Sequence, residues 1–212
     1  MTAGLDEPAL EAGAWARGRG ESLKQVIIIG DSIAMAYGPL VRASLAGWAE
    51  VWQPEENAGT SANLLTHLEA WALGRGADLI HLNCGLHDLA IDGGDAHRVE
   101  PDQYVENLQM VFSQLRSGTP ARLVWATITP VIDARHQATK GFRRHDADVR
   151  LYNRAALRPV GRAVVNDLHG HVVRAGLERC ICEDGVHMTE YGNRALAEAV
   201  AAVIREVLGD RK

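Results

Sequence analysis

The sequence predicts an α/β fold, with one five-stranded parallel sheet covered by helices on both faces. Two observations carry this prediction. Five short strand-like runs, Val26–Ile29, Glu50–Trp52, Leu79–Leu82, Leu123–Ala126 and Ala163–Asn166, alternate with segments of helical spacing. Val26–Ile29 is also apolar at every position, the pattern of a strand buried on both sides. Strands joined through helices pair in parallel with right-handed crossovers, which gives a three-layer α/β/α, flavodoxin-like arrangement.

Met1 to Gln25 is rich in Gly and Ala, carries mixed charge and lacks the apolar core of a signal peptide. It predicts a leader over residues 1–22, either disordered or forming a short helix around Leu10 to Trp15, before a single domain over 23–212. The first strand stops abruptly at Gly30-Asp31-Ser32, and helical spacing over 33–45 puts Ser32 at a strand-to-helix turn. Asn57-Ala58-Gly59-Thr60-Ser61 follows the second strand and opens a helix over 61–74. Gly85-Leu86-His87-Asp88 follows the third, with a helix over 102–116. After the fourth come Thr129-Pro130 and a long segment to Arg150, then a helix over 149–161. The last helix, 189–208, places Leu196, Val200, Val203, Ile204 and Val207 on one face. The motifs thus fall just after strands, at the carboxyl edge where open α/β sheets bind ligands.

Ser32 at the start of a helix stands among free backbone N–H groups that can hold an oxyanion. The serine needs a base, and Asp184-Gly185-Val186-His187 offers one: the imidazole takes the serine proton and the carboxylate orients the ring. Ser32, His187 and Asp184 are therefore the candidate catalytic residues. Asp31 anchors the turn through backbone N–H groups, Asp88 has a similar structural reading, and Asn57 braces the loop that presents Gly59.

The ordered set of Gly30-Asp31-Ser32, Asn57-Ala58-Gly59-Thr60-Ser61, Gly85-Leu86-His87-Asp88 and Asp184-Gly185-Val186-His187 resembles the SGNH (GDSL-type) hydrolases over about residues 25 to 205. The resemblance implies a serine esterase acting on a small-molecule ester, with no metal or organic cofactor. It also implies an oxyanion hole built from Ser32, Gly59 and residue 87. The family has asparagine at that last position, whereas this chain has His87. A ring N–H can replace the amide donor, with different reach and protonation. The resemblance permits carbohydrate esters, simple lipid esters and thioesters. Few aromatics, 5% of residues, and no long apolar lid argue against long acyl chains, and a short acyl group such as acetyl on a polar or carbohydrate substrate is expected. An acyltransferase using the same acyl-serine, or a non-catalytic binding module on the same fold, are the alternative readings.

Composition bounds the rest. The 212 residues are 47% hydrophobic and 23% charged, which argues against disorder and for one well-buried domain. A net charge of −5 gives no broad reason to bind nucleic acid or an anionic membrane. No apolar run approaches the roughly 20 residues a bilayer span requires, and a cytoplasmic location is expected. Cys84 reads as a small buried hydrophobe, and Cys180 and Cys182 lack the second cluster that a metal or redox site needs. His81, His97, His169 and His171 have no metal spacing, and the Gly30 turn has no phosphate-loop lysine. The segment from Thr129 to Arg150 carries Arg135, His136, Lys140, Arg143, Arg144 and His145. It reads equally as a lid or specificity element at the ligand edge, favouring an anionic or heavily hydroxylated substrate if it lines the pocket, or as a solvated basic loop. Asp92 to Asp102 would form the opposite wall.

Overall fold

The computed structural model describes residues 22–209, so the leader and its possible helix over Leu10 to Trp15 lie, but for Ser22, outside the described residues. Five strands, β1 (Lys24–Ile29), β2 (Ala49–Trp52), β3 (Leu79–Leu82), β4 (Arg122–Ala126) and β5 (Val164–Asn166), form one parallel sheet in the order β2-β1-β3-β4-β5. That is the doubly wound order expected for a flavodoxin-like fold. Every residue of β3 is buried, as are Val26 to Ile29 of β1, because both faces of these central strands lie under helices. At the edge, Val164 and Val165 of β5 remain 41% exposed.

Eight helices complete the fold among the described residues: α1 (Ser32–Ser44), α2 (Ser61–Trp71), α3 (Pro101–Gly118), α4 (Asp133–Thr139), α5 (Asp146–Val160), α6 (Leu168–Ala175), α7 (Leu177–Cys180) and α8 (Glu190–Leu208). They pack in two groups. In one, α8 lies against α1, α6 and α7; in the other, α3 lies against α2 and α5. The apolar face expected on the last helix is the one that docks, with Leu196, Val200 and Ile204 fully buried. No described helix is long and apolar enough to cross a membrane.

Boundaries differ from expectation where side-chain chemistry fixes the end of a helix. Helix α1 begins at Ser32, because the Asp31 carboxylate accepts the Ile33 N–H at 3.0 Å and caps it. Helix α3 starts with Pro101 in its first turn, where the missing N–H costs nothing, and runs on to Gly118. Helix α5 begins at Asp146, three residues before the expected start, and its first turn carries Asp146 and Asp148, charges that favour a helix N-terminus. Helices α4, α6 and α7 break up stretches that read as connections.

Candidate active site

The Ser32 turn is built first. The strand β1 ends at Ile29, Asp31 caps α1, and Ser32 becomes the first residue of the helix. Its N–H therefore has no acceptor inside the helix. The Ala58 N–H donates to the Gly30 carbonyl at 3.0 Å, which stitches the loop after β2 to this turn. In that loop Gly59 sits at φ +60°, a left-handed conformation that favours glycine. Its N–H donates to Asn57 Oδ1 at 2.8 Å, so Asn57 does brace the loop, and it does so through the N–H expected to serve an oxyanion.

The late motif reaches the same edge. His187 Nε2 lies 3.0 Å from Ser32 Oγ, and His187 Nδ1 lies 2.5 Å from Asp184 Oδ2. With the ring proton on Nδ1, donated to Asp184, Nε2 is free to accept the serine O–H. The other carboxylate oxygen of Asp184 accepts the Val186 and His187 N–H groups at 3.1 and 3.0 Å. Burial opposes ionisation of Asp184, but the hydrogen bonds from the His187 ring and from these two N–H groups outweigh it. The carboxyl is held well below the usual carboxylate range. The imidazole side chain is 46% exposed, so the assembly opens to solvent at the sheet edge.

The turn after β3 is fixed by Asp88, which is fully buried. Its carboxylate accepts the Ser61 N–H at 2.9 and 3.1 Å and the Ser61 hydroxyl at 2.5 Å. Asn107 in turn donates to Ser61 Oγ at 2.9 Å. Asp88 thus locks the His87 turn onto the first residue of α2, next to Gly59. Burial raises the Asp88 carboxyl to about 6, against the pull of the Ser61 hydrogen bonds. The His87 ring forms no hydrogen bond among the described residues. Burial, and then the charges of Arg144 and Arg98, push it down to about 4, so at neutral pH it is uncharged with one N–H to donate.

The basic segment includes α4 and is partly buried, with His136 and Arg144 inside and Gln137, Thr139 and Arg143 exposed. Its α4 packs behind the loop that carries Asp184. The Ile132 N–H donates to the Gly185 carbonyl at 2.9 Å, and Lys140 Nζ stands 3.5 Å from Asp184 Oδ2. Gly185 is required there: its φ is +75°, and a Cβ would lie 2.6 Å from the His136 nitrogen and the Ile132 oxygen. Further along, Arg143 forms an antiparallel bridge with Ile91, and Arg143 also pairs with Asp95, so the acidic stretch faces the basic one. Neither Lys140 nor Arg144 stood out from its neighbours in the sequence, since only the tertiary fold brings them to Asp184 and to Leu86. No group of three or more His, Cys, Asp or Glu able to hold a metal occurs among the described residues.

No protein-family model and no curated sequence matches the chain. Solved structures do. A lipase/acylhydrolase from Enterococcus faecalis superposes with a TM-score of 0.70 at 15% identity, over 87% of this chain and 97% of that one. The fold is that of the SGNH hydrolases. An acetyl xylan esterase, AlAXEase, shares this SGNH fold with a TM-score of 0.68 at 20% identity, covering 85% and 99% of the two chains. A GDSL-like lipase from Bacteroides thetaiotaomicron matches at 0.67 and 12% identity, covering 87% and 89%.

Proposed function

We propose that this protein is a serine esterase that removes a short acyl group, acetyl in type, from a polar or carbohydrate substrate. The observation that carries the reading is the relay from Ser32 through His187 to Asp184, spanning 3.0 and 2.5 Å at the carboxyl edge of the sheet. The names of the structural neighbours, an acylhydrolase and an acetyl xylan esterase among them, support the same chemistry.

In this mechanism His187 Nε2 takes the Ser32 proton as Oγ attacks the ester carbonyl. The ring is then an imidazolium, stabilised by the ionised Asp184. The carbonyl oxygen becomes an oxyanion, held by the Ser32 N–H, by the Gly59 N–H, which turns from Asn57 Oδ1 toward the new charge, and by the neutral ring of His87. The C–O bond breaks, the alcohol leaves with the proton from His187, and an acyl-serine remains. Water then gives a proton to Nε2 as its oxygen attacks the acyl carbon; the acyl C–Oγ bond breaks, Nε2 returns the proton to Ser32 Oγ, and the acid leaves.

The test is hydrolysis of p-nitrophenyl acetate, butyrate and octanoate by the wild type and by Ser32→Ala. Turnover highest on acetate and absent in the variant is the expected result. Turnover that survives in Ser32→Ala removes the assignment, and a preference for octanoate removes the short-acyl part alone.

A further inference from the structure

We propose that Arg144 is the anion-anchoring residue of the candidate site, so that the ester this protein cleaves carries a carboxylate or phosphate group. The inference rests on the esterase reading above and narrows its substrate class.

Arg144 is only 5% exposed. Its Nε donates to the Leu86 carbonyl at 2.6 Å, at the residue preceding His87. The Arg143 bridge to Ile91 fixes the backbone on that side, with N–H and carbonyl groups exchanged at 2.9 Å in both directions. Its guanidinium lies 4.8 Å from the Phe142 ring centroid, and among the described residues it has no carboxylate within ion-pair distance and no other hydrogen bond. Arg98 makes the contrast. It lies equally near Phe142, yet two of its nitrogens bind Asp92 at 2.7 and 2.5 Å.

A buried guanidinium with no carboxylate in direct contact is costly, because desolvation is repaid only in part by the more distant charges of Asp31, Asp184 and Asp92. If the Leu86 carbonyl were the only need, a neutral donor would meet it at lower cost. The fork of unused N–H groups suits a planar carboxylate or a phosphate, which binds two of them in parallel. The location agrees with a substrate role, since the Arg144 charge acts on Asp31 beside the nucleophile and on His87. Both are residues of the turns that frame Ser32.

The experiment compares 4-acetoxybenzoate and 4-acetoxyphenyl phosphate with neutral 4-acetoxybenzamide, and p-nitrophenyl hydrogen succinate with p-nitrophenyl butyrate. The first group places the anion on the alcohol side and the second on the acyl side. Enzymes are the wild type, Arg144→Gln, Arg144→Lys and Ser32→Ala. At least one anionic ester is expected to exceed its neutral counterpart by about tenfold or more in kcat/KM, the size of one charge-assisted contact. Arg144→Gln should lose that preference through a raised KM for the anionic ester, and Arg144→Lys should keep part of it. Ser32-dependent turnover with no anionic preference in the wild type overturns the Arg144 proposal and leaves the esterase reading standing, whether or not Arg144→Gln folds. If no ester is turned over, thermal shifts with 4-hydroxybenzoate and 4-hydroxybenzamide decide. A shift by the carboxylate alone, lost or reduced in Arg144→Lys, keeps the anion site while the esterase reading falls; no such shift overturns both.

Discussion

Ser32 and His187 are 155 positions apart, yet their side chains meet at 3.0 Å. What the residues can do follows from their immediate partners. Asp184 presents one oxygen to the His187 ring and the other to two backbone N–H groups, so it fixes both tautomer and loop. Asp184→Asn keeps the backbone bonds but turns an N–H toward Nδ1, forcing the proton onto Nε2. The expected loss is about 10⁴ in kcat with little change in melting temperature. A loss under tenfold contradicts the assigned role. His87→Ala should lose about 10² to 10³ in kcat through the missing donor, whereas His87→Asn should restore most of it. Equal loss in both variants would mean that His87 acts through packing. Ser32, His187 and Asp184 were legible as candidates only through the ordered set of motifs, since Gly-Asp-Ser and Asp-x-x-His are each weak signals alone. The brace of Asn57 on Gly59 is local and was legible too; the clamp of Asp88 on Ser61 and the burial of Arg144 were not, since each depends on segments distant in the chain.

At the scale of elements, all five strands were legible, as they are short apolar or alternating runs between clear breaks. The long helices were legible from their periodicity, as in α8. The short ones were not. Helices α4, α6 and α7 span seven, eight and four residues. Helices of that length are not stable on local propensity and exist through packing, which no local pattern reports. Helix α4 matters most, since it turns the basic segment into the back wall of the Asp184 loop. Gly185→Ala tests this wall. The methyl group would meet backbone atoms at 2.6 Å, in a conformation alanine rarely adopts. Expected are a lower melting temperature and a loss of esterase activity at a temperature where the variant remains folded. Full activity in the folded variant would show that α4 does not set the position of Asp184.

The whole molecule stores several titratable groups in its interior, and their effects on stability oppose one another. Burial pushes His81 down to about 3 and His87 to about 4, both from an ordinary 6.5, and it lowers His136 as well. The unfolded chain therefore binds protons that the folded one refuses, and these groups make stability rise with pH up to about 6.5. Asp88 acts in the other sense. Its folded value near 6 exceeds the ordinary 3.8, so its share of stability is lost as pH rises from about 4 to about 6. Asp31, also raised by burial, works in the same direction. Urea midpoints between pH 4 and 7 should thus rise less steeply with pH in His81→Gln than in the wild type, and more steeply in Asp88→Asn. Unchanged slopes in both variants contradict this picture of the interior. The same fold that buries these groups brings residues from opposite ends of the chain to one sheet edge, where His187 is expected to activate Ser32. Treatment with a fluorophosphonate, followed by peptide mass spectrometry, tests this activation most directly. One phosphonyl group on Ser32 Oγ, with fluoride displaced, is expected in the wild type and almost none in His187→Ala. An unlabelled Ser32, or equal labelling without His187, would contradict it.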